Sequence, residues 1–342
     1  MELEISRDRV NALLASIASQ RIGVIGDLTM DGYWHADMTR SQLSRETPLY
    51  PRPVFRESYS PGGAANVAWN LADLRPASVF AFTVFGEDWR GELFRQVLKK
   101  AGVRLDDVIT QPGWMTPFYG KVILMGHHGQ QEDARLDFIN TEPIKPETEQ
   151  ALIAKVKARL PELDALVVAD YQAIGVVTPE VTKALNQLAI EFSKTLFVVD
   201  SRERVGNFRN MVIKPNDIEA ARFFFPTRDP AAVSVDELSQ AGIDWQKTNQ
   251  RPVYITLGHR GCLVCDQGNV KLVPAVQVPP PVDTVGAGDT FLASLTAGLV
   301  GGATPVEAAC LATLATGVTI RKLGVTGTAS SQEILAEYDG LS

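Results

Sequence analysis

A series of short, continuous apolar runs constrains this chain most. Ile22-Gly23-Val24-Ile25 ends at Gly26-Asp27, Ala165-Leu166-Val167-Val168 leads to Asp170, and Leu196-Phe197-Val198-Val199 leads to Asp200. Val79–Phe82 and Val253–Thr256 are further runs of the same kind. Helical spacing occupies the stretches between them, from Ala64 to Leu74 and from about Trp89 to Lys100. Strands that are apolar throughout, rather than alternating, are covered on both faces. The order strand, helix, strand therefore predicts an α/β fold: a mostly parallel central sheet between two helical layers. Such sheets bind ligands beyond the carboxyl ends of their strands, where this chain places its acids and glycines.

Two regions depart from that rhythm. Tyr33 to Tyr59 is polar and carries Pro48, Pro51 and Pro53; Met115 to Phe138 has two alternating runs around Gly126-His127-His128-Gly129. They read either as irregular surface loops or as strands outside the main sheet. The second reading makes a small inserted β lid from about 33–59 and 115–138. A length of 342 residues suggests about two domains. With no repeat and no low-complexity linker, residues 1–342 instead read as a single catalytic unit bearing that lid.

Composition excludes several functions. Lys plus Arg number 33 against 40 Asp plus Glu, a formal charge of −7. An acidic chain lacks the basic surface that a nucleic-acid or anionic-membrane partner requires. Cys262, Cys265 and Cys310 are too few and odd in number for a disulfide framework, so a reducing, cytoplasmic setting fits. Cys262-x-x-Cys265 reads as part of a buried strand rather than as half a zinc site, which needs four ligands. The start, Met1-Glu2-Leu3-Glu4-Ile5, is acidic and shows no signal-peptide core. Thr290 to Val318 is weakly polar but is interrupted by Pro305 and Glu307, so no membrane span is expected.

The strongest local signal is Asp283-Thr284-Val285-Gly286-Ala287-Gly288-Asp289, which precedes an apolar helical pattern from Phe291. The glycines fall at a helix N-terminus, where backbone N–H groups lack partners and the dipole is positive. That is a site for phosphate-type charge. Asp289 has two readings there: a helix cap, or a base that takes the proton of a hydroxyl attacking the phosphate. No G-x-x-x-x-G-K-[ST] is present, and the glycines do not match a dinucleotide fingerprint.

Three weaker elements accompany it. Gly62-Gly63 opens a helix and permits close approach of a ligand, with Asn66 one turn inside to bond a polyol. Asn216 and Glu219 are three apart, a spacing that suits either a hydrated Mg²⁺ or a capping arrangement. Thr256-Leu257-Gly258-His259-Arg260-Gly261 is a strand end with a hydroxyl and two glycines.

Taken in order from about Ile22 to Gly327, these elements resemble the ribokinase-like (PfkB) family of carbohydrate kinases. Asp283–Asp289 is similar to its C-terminal signature and Pro61–Ala68 to the start of its N-terminal one. Asn216-x-x-Glu219 and Thr256–Gly261 match its N-x-x-E and T-x-G-x-x-G elements. Ser294 stands where a smaller residue is usual, and Arg75-Pro76 where a glycine is expected. Gly26–Trp34, Ser44–Pro48, Arg135–Phe138 and Lys322–Gly324 are most similar to the branch acting on heptose 7-phosphate. Asp170-Tyr171-Gln172-Ala173-Ile174-Gly175 lacks that branch's lysine, and Asp200-Ser201-Arg202 replaces its D-P-K string.

The resemblance implies a ribokinase-like α/β/α enzyme transferring the γ-phosphoryl of ATP to a sugar or sugar-phosphate hydroxyl, O1 for a heptose 7-phosphate. Asp289 would be the base in the catalytic loop Gly286, Ala287, Gly288, and the N–H groups of Ala287, Gly288 and Asp289 would stabilise charge on the transferring group. Asp31, placed at the end of the first strand, would hold sugar hydroxyls opposite Gly62, Gly63 and Asn66, with Arg135 nearby. Asn216, Thr256, Gly258 and Gly261 would bind ATP. Asn216 and Glu219 would hold Mg²⁺ partly through water, and Asp283 would adjoin a monovalent cation, K⁺. A homodimer through the lid is expected. Another acceptor (ribose, fructose, a phosphofructose or a nucleoside) leaves these elements unchanged. A non-catalytic sugar- or nucleotide-binding regulator has no need of the Asp289 loop.

Overall fold

The computed structural model describes residues 3–341; Met1 and Glu2 of the N-terminal reading lie outside the described residues. Its strands are β1 (Arg21–Gly26), β2 (Leu28–Asp37), β3 (Val54–Gly63), β4 (Ser78–Phe82), β5 (Val84–Gly86), β6 (Val103–Arg104), β7 (Ile109–Gln111), β8 (Phe118–Gly126), β9 (Gly129–Phe138), β10 (Ala165–Asp170), β11 (Leu196–Ser201), β12 (Val212–Ile213), β13 (Val253–Thr256), β14 (Cys262–Asp266) and β15 (Asn269–Val273). The helices are α1 (Arg7–Ser16), α2 (Ala64–Asp73), α3 (Trp89–Lys100), α4 (Pro146–Arg159), α5 (Pro179–Glu191), α6 (Asp217–Phe224), α7 (Val235–Asn249), α8 (Ala287–Val300), α9 (Pro305–Thr319) and α10 (Ser331–Asp339).

Among the described residues nine strands form the central sheet, in the order β15-β14-β13-β12-β11-β10-β1-β4-β6. From β6 to β13 neighbours are parallel; β14 and β15 add an antiparallel edge. Both faces are covered, as the continuous apolar runs predict. Along β10, Ala165, Val167 and Ala169 enter the core beneath α2, α8 and α9, while Leu166 and Val168 enter the core beneath α4 and α5. A third core lies between α6, α7 and the strands β12 to β14. Cys262 belongs to the first core and Cys265 to the third, on opposite faces of β14, so one ion cannot take both. Burial pushes the Cys265 thiol up to about 12, as suits a small apolar side chain.

A second sheet of four strands stands apart, in the order β3-β2-β8-β9. Its strands begin earlier and end later than the polar insertion at Tyr33–Tyr59, because β2 starts only one residue after β1 and β3 runs directly into α2. The alternation in these strands separates two faces. On one, buried Phe118 meets Trp34, Trp89 and Phe138 at ring separations of 5.6, 5.6 and 5.7 Å. The other presents Asp31, Tyr33 and Lys121. Asp31 therefore sits within this sheet, not at the end of the first strand; Asp27 holds that place. Asp27 is 2% exposed and accepts the N–H groups of Tyr171, Gln172 and Val176 at 3.0, 2.8 and 2.8 Å. Its carboxylate thus shapes the loop after β10.

Arg75 takes up the left-handed conformation, φ 60°, just beyond α2. That is the place where a glycine ends many helices. Among the described residues no helix is long and apolar enough to cross a membrane.

Candidate active site

Helix α8 opens at Gly286, whose φ of 80° is left-handed; among the described residues no side chain caps it. Ala287, Gly288 and Asp289 form its first turn, and the Ala287 N–H is turned back to Thr284 O at 3.2 Å. Asp289 is not a cap. Its Oδ2 accepts from Asn66 Nδ2 at 2.9 Å and its Oδ1 from the Tyr171 hydroxyl at 3.0 Å. Burial pushes this carboxyl up to about 6, with the charge of Asp200 adding to the rise and the Asn66 and Tyr171 hydrogen bonds opposing it.

The packing of α2 on α8 fixes Asn66. Asn70 Nδ2 donates to Asn66 O at 2.9 Å and to Asn66 Oδ1 at 3.2 Å, while Thr290 donates to Asn70 Oδ1 at 2.9 Å. The Asn66 carbonyl oxygen is thereby occupied, so its amide hydrogens face Asp289. Gly286 has no room for a side chain, since a Cβ there would lie 2.6 Å from Asn66 Nδ2.

Behind Asp289 lies a buried charged group with no role assigned from sequence. Lys214 and Asp200 are 2% and 6% exposed and pair at 2.8 Å. Burial works against the Lys214 charge, yet Asp200 and then Glu219 hold its pKa above the usual value. The Tyr171 hydroxyl stands 3.1 Å from Asp200 Oδ2, and the Arg202 guanidinium lies over the Tyr171 ring at 5.3 Å. The acids closing the apolar runs were the available signal. Lys214 itself looks unremarkable in sequence, because a buried lysine is recognised only from its partner. Asp170, the other strand-end acid, is taken up by Arg204, which also binds the carbonyl groups of Gln172 and Ala173.

Asn216 and Glu219 cap α6 reciprocally. Glu219 N–H donates to Asn216 Oδ1, and Asn216 N–H donates to Glu219 Oε2, both at 2.8 Å. Burial, then the charge of Asp200, pushes the Glu219 carboxyl up to about 7. Asn216 is bridged to Thr256, which brings the α6 terminus beside the Thr256–Gly261 turn. Gly258 (φ 59°) and Gly261 (φ 106°) are left-handed there, and a Cβ on Gly261 would lie 2.0 Å from Val273 O. Gly261 is thus required by the chain's own packing. Asp283 clasps two loops: its carboxylate accepts the N–H of Val285 at 3.0 Å and of Gly324 at 2.9 Å.

In the second sheet Asp31 is 7% exposed and stands 3.4 Å from Lys121 Nζ, which also lies 3.2 Å from the Tyr33 hydroxyl. Burial raises the Asp31 carboxyl against the pull of Lys121. Gly62 lies against Asp31: a Cβ on it would be 3.4 Å from Asp31 Cγ. Gly63, φ +53°, lets β3 turn into α2. Arg135, opposite Lys121 on β9, pairs with Asp137 at 2.6 Å and covers the Tyr119 ring at 4.8 Å. Lys121 and Tyr33 went unassigned from sequence, since one residue of a strand becomes informative only once its neighbours across the sheet are known.

The site thus sets a carboxylate at the N-terminus of α8, between the central parallel sheet and a second small sheet. The chain belongs to the pfkB family of carbohydrate kinases, whose pattern matches residues 31–332. Among curated relatives, the bifunctional protein HldE of Wolinella succinogenes is 32% identical over 331 residues, 95% of this chain and 66% of that protein. The chain spans 65–66% of the length of the first such relatives. Arabidopsis thaliana ribokinase, solved with ribose and ATP, superposes with a TM-score of 0.66 at 20% identity, covering 93% of this chain and 98% of that one. Escherichia coli phosphofructokinase-2, solved with fructose-6-phosphate, gives 0.67 at 21% identity, covering 94% and 99%. At these identities the two structures show the shared fold.

Proposed function

We propose that this chain transfers the γ-phosphoryl of ATP to a hydroxyl of a sugar phosphate of the heptose 7-phosphate kind, at O1. The observation that carries the reading is Asp289, held by Asn66 and Tyr171 at the open N-terminus of α8. A carboxylate alone would repel a phosphate there. As a base it takes the proton of the attacking hydroxyl, while the N–H groups of Gly288 and Asp289 and the helix dipole receive charge on the transferring group. A loose transition state asks little basicity of it, since positioning and electrostatics dominate.

The charged face of the second sheet supports a phosphorylated acceptor. Asp31 suits sugar hydroxyls. Lys121 and Arg135 supply positive charge on the same face, in place of the lysine missing after Tyr171. The sheet would act as a lid that excludes water from the transfer, and the protein would work as a dimer through it in the cytoplasm.

Magnesium enters as part of the nucleotide. Asn216 Oδ1 and Glu219 Oε2 are committed to the α6 cap, so the pair fits an ion held through water rather than one bound directly by both. The raised Glu219 carboxyl gains from a cation close by. A bound magnesium supplies charge neutralisation of the polyphosphate. Asp283, joining the loops at Val285 and Gly324, would border a monovalent cation.

The test is ATP consumption across ribose, fructose, fructose 6-phosphate, a nucleoside and heptose 7-phosphate, run in K⁺ and in tetramethylammonium. Heptose 7-phosphate should give the highest kcat/KM, and K⁺ the higher rate. Asp289→Asn should lower kcat at least about 100-fold while ATP binding stays close to wild type. Near-wild-type turnover in that variant removes the assignment, and preference for an unphosphorylated sugar removes the acceptor.

A further inference from the structure

We propose that Tyr171 is a positioning residue for the base. Its single phenolic proton is directed to Asp289 while that carboxylate is charged and turns to Asp200 once Asp289 has taken the substrate's proton. The inference rests on the kinase reading above and deepens it.

The geometry carries it. One hydroxyl stands between two carboxylates, 3.0 Å from Asp289 Oδ1 and 3.1 Å from Asp200 Oδ2. A phenol has one proton and can donate to only one acceptor at a time. The two acceptors differ. Asp200 is paired with the buried Lys214 at 2.8 Å, so its charge has a permanent partner. Among the described residues the side chains that donate hydrogen bonds to Asp289 are neutral, Asn66 from α2 and Tyr171 from the loop after β10, while the Lys214 charge acts on it without a direct bond. Further charges around the group are Asp200 on β11, Lys214 beyond β12, Glu219 on α6 and Arg202 over the phenol ring. Asp289 is thus the member whose charge changes, and Tyr171 is the group that can serve both of its states.

The balance is simple. The acceptor hydroxyl's proton goes to Asp289, the new O–P bond forms, and the bond from the γ-phosphorus to ADP breaks. Tyr171 keeps its proton throughout: burial, with the charges of Asp200 and Asp289, raises the phenol well above its ordinary pKa. The protonated Asp289 then donates to the phenol oxygen, which donates to Asp200. No buried donor or acceptor is stranded in either state, which would otherwise cost the full desolvation of that group.

Tyr171→Phe keeps the ring under Arg202 and removes only the hydroxyl. The acid limb of kcat/KM reports the free enzyme's base, and its midpoint should rise by about one pH unit in this variant. The variant's kcat should fall at pH 6 and recover by pH 8, with KM for ATP within about twofold. Asp200→Asn removes a negative charge and should move the same midpoint down. A purely structural role predicts a uniform loss at all pH values with the midpoint unmoved. That result in Tyr171→Phe overturns the proposal, and Tyr171→Phe alone decides if Asp200→Asn does not fold. Carbon-13 NMR titration of the Asp289 carboxyl in wild type and Tyr171→Phe reads the same shift without turnover. A wild type that phosphorylates no sugar therefore counts against the kinase reading, while the titration still settles the role of Tyr171.

Discussion

Asp289 and Asp27 are both carboxylates that burial raises to about 6, yet they serve opposite ends. Asp27 is surrounded by three backbone donors that leave it no freedom. Asp289 is half-buried with two side-chain donors, and its charge costs stability. The sign follows from linkage. A carboxyl raised from 3.8 to about 6 binds more protons folded than unfolded, so its contribution is present below pH 3.8 and lost as pH rises through 6. Asp289→Asn carries no charge at any pH. It should therefore raise Tm at pH 7.5 and do so much less at pH 4, a difference thermal denaturation at the two pH values reads directly. The variant that loses catalysis should thus gain stability, as sites strained for function do.

At the scale of elements, the apolar runs read correctly as strands, and Trp89–Lys100 as a helix, because continuous and 3.6-residue patterns are local properties of the chain. The start of α8 at Gly286 was legible for the same reason. What escaped sequence reading depends on contacts across elements. Lys214 acquires meaning from Asp200, and Lys121 from Asp31, 14 residues apart in one case and 90 in the other. Asn216 and Glu219 left two readings open, and the cap emerges because both partners lie on one helix turn. Two predictions belong here. Arg75 holds a left-handed conformation at the end of α2 without the freedom of glycine. Arg75→Gly should stabilise the fold by about 1 kcal/mol, seen as a higher urea midpoint. Lys121→Met should raise KM for a phosphorylated acceptor at least about tenfold, through loss of a charged contact, with KM for ATP unchanged in steady-state kinetics.

For the molecule as a whole, a net charge of −7 offers no global attraction to nucleotides or phosphorylated sugars. On the proposed reading local devices would supply it: the α8 terminus, Lys121, Arg135 and Arg202. The four-stranded sheet is the part whose surroundings an isolated chain leaves open. Leu136 is 49% exposed and Phe55 53% exposed on its outer strands β9 and β3, and paired edges are better protected than free ones. Light scattering at working concentration should give the mass of a dimer; a monomer there removes the proposed association.

The direct passage of β3 into α2 has a mechanical consequence. Gly62 faces Asp31 so closely that a Cβ on it would lie 3.4 Å from Asp31 Cγ, and Asn66, four residues later, donates to Asp289 at 2.9 Å. On the proposed reading, the group that seats the sugar and the group that orients the base are joined by one short stretch of chain that turns at Gly63, φ +53°. In the proposed mechanism, acceptor binding at one end would thus bear directly on the orientation of the base at the other, a way of sparing ATP from water.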